Sequence, residues 1–507
     1  MKLRRVLIVD GYTDEPAGLG VPPYIDTYPR EIYGALKLAS KDNEAYYLTI
    51  DDVRKDRREY VRMVEKVDAV IVIAGALVPG RYLSGEPLRD PKEIEYMQLW
   101  SDKPLYLVGP AARFGLGGLG GTRTKPLEGV VRIRHNVAKW VYEAAKYGIE
   151  YASDYEDEKS YDLRSKALIR GSEVVLQHPN MRIGNLVAEI ETYRGCARWV
   201  TGGCSFCLDP FYGRPKVRKI EDIVEEVGML YRFGVRNIRL GRQSDILVYG
   251  SKDLGLKEWP KPEPEELRKL FYGIRSRAPS LITLHIDNVN PGTIARNPRE
   301  SEEALKVVVE YHTPGDVAAL GIESVDPKVV KLNNLKVDKE GALKAVEIIN
   351  KVGAKRGWNG LPHLLPGLNF IAGLPGESKE TWKINEELMN EIEKRGLMVR
   401  RVNIRKLSIL EGSKVSKMIS KVKVGKGYEG FRRFVMEWQK RMLRRVLPAN
   451  TVVRNVVVEK VERGVSYARY PGSYPITFEI PRPMEIGRWV SVVVKRHHAR
   501  SVVAEVL

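Results

Sequence analysis

The 507-residue sequence predicts an α/β protein built from several domains, since a chain of this length outgrows a single core. Three observations carry that prediction. Short apolar β-rich runs alternate with helical periodicity in residues 1–150, and again in 186–412. After residue 448 the texture changes to five short β-rich runs separated by glycine and proline, which suggests a small closed β-barrel. The chain has only three cysteines, Cys196, Cys204 and Cys207, and all lie in the stretch ETYRGCARWVTGGCSFC.

The first block predicts strands over 4–9, 45–50, 67–74 and 104–109, with helices over 28–40, 52–66 and 91–101. Strands separated by helices make a parallel sheet with covered faces, a Rossmann-like domain over 1–150. Ligands of such sheets sit beyond the carboxyl ends of the strands. The loops there are 10–24 and 109–123, and the glycine-rich run 114–121 is a candidate phosphate cradle or a plain surface loop. Residues 151–185 are acidic, then mixed, without a clear period, and read as a surface-packed linker.

The second block predicts six strands, over 186–192, 237–241, 281–287, 318–322, 368–372 and 399–405, with helices over 220–233, 265–277, 302–311, 339–352 and 379–395. Six strand–helix units make an incomplete (β/α)6 barrel over 186–412, with function at the strands' carboxyl ends. Residues 413–447 form a basic amphipathic helical connector. In it Tyr428, Phe431, Phe434 and Trp438 lie at helical spacing and predict a buried stripe.

Composition excludes several classes. With 43% hydrophobic and 29% charged residues the chain reads as soluble and globular, and no apolar run reaches membrane-spanning length. The apolar run in MKLRRVLIVDGY is too short for a signal peptide and reads as the first strand. Sparse, clustered cysteines point to a reducing cytoplasm. The net charge of +19 is uneven: residues 400–507 hold 24 Lys and Arg against eight Glu and no Asp. A one-sided basic domain fits a polyanion, most commonly nucleic acid.

The cysteine spacing is C-x7-C-x2-C. Three thiolates leave a tetrahedral zinc site one ligand short, so zinc would need a histidine to complete it. They can also hold three irons of a [4Fe–4S] cluster and leave the fourth iron open. With Phe206 just before the last cysteine, the stretch resembles the loop of the radical SAM superfamily, whose usual spacing is C-x3-C-x2-C. Here the first gap is longer, which fits the family if 198–203 bulge outward, with Gly202 and Gly203 letting the backbone turn. Later strand ends resemble the same family in the same order. IRLGRQSD offers Gly241, Gln243 and Asp245 where the family binds the SAM amino group. LHIDNVNP offers Asp287, Asn288 and Asn290 near the ribose. GIES gives Gly321, Glu323 and Ser324, and GLPGE gives Gly373, Leu374 and Pro375 beside the adenine. The resemblance implies an enzyme of the transferase kind that cleaves S-adenosylmethionine reductively to a 5′-deoxyadenosyl radical, with a separate reductant protein. It names no catalytic side chain.

The first domain resembles the cobalamin-binding domains that precede many radical SAM cores, which makes cobalamin a candidate third cofactor. The D-x-H-x-x-G signature is absent and no histidine precedes His135. By position the domain also resembles that of methylthiotransferases, but it lacks the three cysteines of their second cluster, so methylthiolation here would need an unusual sulfur source. Residues 448–507 resemble the TRAM domain, an OB-like barrel that binds tRNA. The candidate RNA contacts are Arg454, Arg469, Tyr470, Tyr474, Arg488, Lys495, Arg496, His497 and Arg500. The whole resembles an uncharacterised archaeal group of radical SAM proteins. Three readings follow: modification of RNA, tRNA first; modification of a protein such as a ribosomal component; or a non-catalytic iron–sulfur protein that binds RNA.

Overall fold

The structure, a computed structural model, describes residues 1–14, 19–75, 82–117, 120–156 and 158–507, with backbone alone for 158–160. Part of the glycine-rich run 114–121 therefore lies outside the described residues. The chain divides into two compact units. One holds Met1–Ile190, Arg218–Arg236 and Leu410–Gly412; the other holds Glu191–Val217, Asn237–Ile409 and Ser413–Leu507. Among the described residues no helix is long and apolar enough to cross a membrane.

The first unit is built on a parallel sheet of five strands in the order Glu44–Thr49, Arg5–Asp10, Ala69–Ile73, Leu105–Val108, Val131–Arg132. In a doubly wound order ligands sit where the connections reverse; here that point lies beyond Asp10 and Ile73, where the Gly11 amide donates to the Ile73 carbonyl and Tyr12 and Leu88 pack into the core. The edge strand Val131–Arg132 is too short to register as an apolar run. The helix predicted over 52–66 is two helices, Ile50–Lys55 and Arg57–Val64. Asp56 ends the first, and its carboxylate accepts from the Arg58 and Glu59 amides to cap the second.

Residues 151–185 are not a surface linker. They form the helix Glu158–Arg170, a 3-10 stretch Gly171–Gln177 and the short helix Asn180–Ile183. Tyr161, Arg164, Ser165 and Leu168 are buried at helical spacing. Two of these four are polar, which hides the period from a hydrophobicity reading. Arg164 pairs with buried Glu31. Gly34 lets the helix Thr27–Ala39 approach this one, because a Cβ there would fall on the Ala167 carbonyl oxygen. Glu226, from the helix Ile220–Arg232, accepts from Arg30 Nε at 3.0 Å and Arg218 Nη1 at 2.6 Å, all three fully buried.

In the second unit the strands Asn237–Gly241 and Thr283–Ile286 pair in parallel, and Asn288–Val289, Asp316–Glu323, Leu364–Ala372 and Arg401–Lys406 form a four-stranded parallel sheet in that order. The helices Pro264–Arg277, Pro298–Tyr311, Lys339–Gly353 and Lys379–Lys394 alternate with them. The strand expected over 186–192 is found at Val187–Glu191. The helix Tyr428–Val446 buries Tyr428, Phe431 and Trp438, and Trp438 Nε1 donates to the Met389 carbonyl at 3.2 Å. Five strands then close a barrel in the order Val452–Glu462, Val465–Arg469, Thr477–Ile480, Ser501–Val506, Trp489–His497. Its core is Val453, Val456, Val458, Phe478, Val492, Val494 and neighbours.

Candidate metal centre

The cysteine loop is tied at its base by the antiparallel pair Tyr193–Arg194 and Lys216–Val217. Of the extra residues of the first gap, Val200 and Thr201 are exposed while Arg198 is buried. Ala197–Thr201 winds into a 3-10 turn, closed by Gly202 and Gly203 at φ +76° and +64°. Only glycine takes two such values in succession without strain. The Gly203 amide then donates back to the Arg198 carbonyl at 2.8 Å. The second half of the loop is held from outside. The Ser205 amide donates to the Asn333 carbonyl (3.0 Å), Ser205 Oγ to Asn333 Oδ1 (2.7 Å), and Asn334 Nδ2 to the Gly203 carbonyl (2.9 Å).

Cys196 and Cys204 are buried and Cys207 is half-buried. Burial pushes the Cys196 thiol up to about 11 and Cys207 well above its ordinary value, with Asp209 adding to both. Each of these two thiols feels Cys204, and Cys207 feels Cys196, so the three share one electrostatic neighbourhood. Two cations face them. Arg198 Nη1 donates to Cys204 Sγ at 3.1 Å. Burial works against the charge of Lys336, but Cys204, Glu323, Cys207 and Cys196 together outweigh it, and its ammonium is held above its usual value. Three thiols that must ionise, with an arginine and a lysine beside them, fit an anionic thiolate cluster. Among the described residues no three His, Cys, Asp or Glu side chains close on a single metal ion. A cluster does not ask for that, because each thiolate binds a different iron.

Of the residues predicted for SAM, Glu323 and Gly321 lie closest to these cations. The register slips between them at a β-bulge, Glu323 has φ +64°, and its carboxylate is 4.0 Å from Lys336 Nζ. Burial pushes the Glu323 carboxyl up to about 7, against the pull of Lys336 and Arg405. A Cβ on Gly321 would run into Lys336 Nζ. Leu374 packs with Cys204 in one small core, and Phe206 and Cys207 lean on it. The Pro375 carbonyl accepts from Asn333 Nδ2 at 2.8 Å, and the Gly373 amide donates to Glu377 Oε2 at 2.6 Å.

Other candidates spend their side chains on the scaffold. Gln243 accepts from Thr192 Oγ1 and donates to the Leu240 carbonyl. Asp245 accepts from Thr293 Oγ1 and the Leu247 amide, and burial pushes its carboxyl up to about 6. The segment from Gly241 is held further by Tyr193, whose hydroxyl bridges the Asp245 amide and carbonyl. Asn288 donates to the Gln243 carbonyl, Asn290 caps the helix Pro291–Arg296, and Ser324 Oγ accepts from the Asp326 amide. Asp287 pairs with Arg239 and accepts from Tyr474 Oη at 2.9 Å.

On the terminal barrel, Arg454, Arg488, Lys495, Arg496 and Arg500 are exposed. Lys495 pairs with Glu505, and Arg454 donates to the Trp358 carbonyl. Two predicted contacts are corrected. Tyr470 is 3% exposed and donates to the Ile282 carbonyl at 2.5 Å, so its ring is not a stacking surface. Arg469 is committed to buried Glu459, its neighbour across the hairpin. Tyr474 lies under the Arg401 guanidinium, 3.5 Å from its ring centre, and His497 Nε2 is 2.6 Å from the Leu447 carbonyl.

Residues 190–388 match the radical SAM superfamily. A protein of Methanocaldococcus jannaschii is 42% identical over all of this chain and 94% of its own length. The tRNA-2-methylthio-N(6)-dimethylallyladenosine synthase of Geobacillus thermodenitrificans is 24% identical over 44% of this chain and 37% of its own. The ribosomal protein uS12 methylthiotransferase RimO of Clostridioides difficile is 27% identical over 41% and 40%. Among solved structures, the radical SAM methyltransferase TsrM of Kitasatospora setae, with cobalamin and a [4Fe–4S] cluster bound, has a TM-score of 0.51 at 14% identity, covering 83% of this chain and 78% of that one. That likeness is one of fold. Residues 190–388 carry the family match and include all three cysteines, and the chain belongs to the radical SAM superfamily, whose enzymes use a [4Fe–4S] cluster and S-adenosylmethionine.

Proposed function

We propose that this enzyme modifies RNA, tRNA first, by radical SAM chemistry in the cytoplasm. The observation that carries the reading is the one electrostatic neighbourhood that the chain's three thiols share with Arg198 and Lys336. Cys196, Cys204 and Cys207 would hold three irons of the cluster. The cluster, reduced by an external one-electron donor, supplies reductive cleavage of SAM to methionine and a 5′-deoxyadenosyl radical. What the chain itself does is bind, orient and exclude water. Lys336 and Glu323 present opposite charges beside the thiols, suited to the two charged ends of an amino acid moiety. Leu374 and Phe206 form the apolar wall that keeps water off the cysteine side.

RNA as substrate is supported by two features: the exposed arginines of a closed five-stranded barrel, and relatives whose names include a tRNA methylthio-synthase. The ribosomal-protein enzyme among the relatives favours a second reading, a protein substrate docked on the same barrel. In the first unit, cobalamin would bind at the carboxyl end of the sheet, beyond Asp10 and Ile73. It would bind there without an axial histidine, since the first histidine is His135, an exposed residue. A cobalamin-loaded chain would transfer methyl groups.

The test is anaerobic: reconstitute the cluster, add dithionite and SAM, and measure 5′-deoxyadenosine with and without tRNA. Stimulation by tRNA with a nucleoside of changed mass is expected. Cleavage indifferent to RNA moves the substrate to protein. A four-iron chain that cleaves no SAM refutes the catalytic reading.

A further inference from the structure

The seven-residue gap between Cys196 and Cys204 leaves Val200 and Thr201 exposed but turns Arg198 inward. The side chain of Arg198 is 1% exposed. Its Nη1 donates to Cys204 Sγ at 3.1 Å, and its Nε donates to Glu258 Oε1 at 3.0 Å. The guanidinium also lies over the Trp259 ring at 4.9 Å. Thr201, on the same turn, donates to the same Glu258 oxygen at 3.1 Å, which fixes the carboxylate relative to the loop. Glu258 is the more open partner, with its side chain 25% exposed. A permanently charged donor is thus buried against one ligand sulfur, with a single, partly solvated counter-ion behind it.

We infer that Arg198, balanced by Glu258, sets the reduction potential of the cluster held by the three thiols. This rests on reading those thiols as cluster ligands. The sign follows from electrostatics. Reduction adds an electron to a group that is already negative with its thiolates. A cation and a hydrogen-bond donor on a ligand sulfur stabilise the reduced form and raise the potential. The Glu258 carboxylate opposes part of that effect. Removing Arg198 therefore lowers the potential, and removing the charge of Glu258 raises it. A role confined to holding the loop together moves neither in this paired way. The lengthened gap thereby has a use: it supplies a donor to Cys204 from within the cysteine loop itself.

The test uses the full-length chain, reconstituted anaerobically, with iron counted first and the midpoint then read by EPR during a dithionite titration with mediator dyes. For Arg198→Met the ratio of reduced to oxidised cluster at the wild-type midpoint falls about tenfold, a shift of ~59 mV for a one-electron couple. Arg198→Lys keeps the charge but cannot bridge both partners, and falls between. Glu258→Gln shifts the midpoint upward, by roughly threefold in the same ratio. Four-iron variants with the wild-type midpoint, or both shifting in one direction, overturn the inference. If Arg198→Met does not hold four irons, Glu258→Gln decides alone, and a midpoint that does not rise overturns it. A wild-type chain that binds no iron overturns the cluster reading and this inference with it.

Discussion

Glu226 carries the heaviest electrostatic load in the first unit, and Glu226→Gln is the perturbation that reads it. Its carboxylate accepts from Arg30 Nε at 3.0 Å and Arg218 Nη1 at 2.6 Å, with all three side chains at most 1% exposed. Arg30 is also held by the Asp26 carbonyl at 3.2 Å and by the Glu189 carbonyl, and Arg218 Nε by Ser165 Oγ at 2.9 Å. Neither guanidinium reaches water. A glutamine keeps one acceptor oxygen but turns an amide donor toward the other guanidinium. Removing one partner of a buried ion pair typically costs about 3–5 kcal/mol, because the remaining charge stays buried and uncompensated. Here one charge serves two cations, which puts the cost at the upper end of that range. The assay is equilibrium urea unfolding of the full chain, followed by tryptophan fluorescence; Trp100 and Trp140 report on this unit. A loss below ~1 kcal/mol would refute the reasoning, since that is the worth of an ordinary exposed pair.

Further outcomes follow from the second unit. Replacing any one of Cys196, Cys204 or Cys207 by serine removes a thiolate, and iron per chain after reconstitution should fall well below four. In the cluster-free chain, burial holds the Glu323 carboxyl at about 7 against an ordinary 4.5, so its contribution to stability is present below the lower value and is lost as pH rises through the higher. Wild type should therefore lose up to about 3 kcal/mol relative to Glu323→Gln between pH 4 and 8, read by urea midpoints, and parallel pH profiles would contradict this. Arg496→Ala and Arg500→Ala should each weaken RNA binding and flatten the salt dependence of its logarithm by about one unit, measured by filter binding across salt. Tyr470→Phe should lower stability by about 1 kcal/mol without changing RNA affinity, because the lost hydrogen bond to Ile282 is internal.

What the sequence makes legible is whatever one side chain or one local period declares. The cysteine window needs no partner to be seen, and the helix Tyr428–Val446 shows its aromatic stripe at 3.6-residue spacing. Failures arise where burial is polar or partners are remote. The helix Glu158–Arg170 is invisible to hydrophobicity because Arg164 and Ser165 occupy its inner face. Asp56 divides a helix that the pattern joins, since a carboxylate able to cap looks like any surface charge. Arg469 and Tyr470 have the right chemistry for RNA, but the hairpin partner Glu459 and the remote carbonyl of Ile282 consume them. Arg198 and Lys336 are hidden for the converse reason. Nothing in a lone cation reveals that it points at sulfur 6 or 132 residues away in sequence.

The terminal barrel is more than an appended module. The segment that leaves its second strand runs beside Thr283–Ile286. Tyr470 Oη donates to the Ile282 carbonyl, Thr283 Oγ1 to the Pro471 carbonyl, the Ser473 amide to His285 Nδ1, and Ser473 Oγ to the Ile286 carbonyl. It ends with Tyr474 on Asp287, the carboxylate that also pairs with Arg239, and beneath the guanidinium of Arg401. Asp287 directly follows the strand Thr283–Ile286, and Arg239 and Arg401 belong to two other strands of the parallel array. One short segment of the barrel thus joins charges from three strands. Without it, Asp287 would face Arg239 with one fewer donor, and a sheet edge would lose four hydrogen bonds. Sequence texture puts a boundary at residue 448, but the hydrogen bonds put residues 470–474 inside the fold that carries the cysteines. The surface proposed to meet RNA and the loop proposed to hold the cluster therefore belong to one compact unit. Substrate docked on the proposed surface would then be held relative to the cysteine loop by these hydrogen bonds.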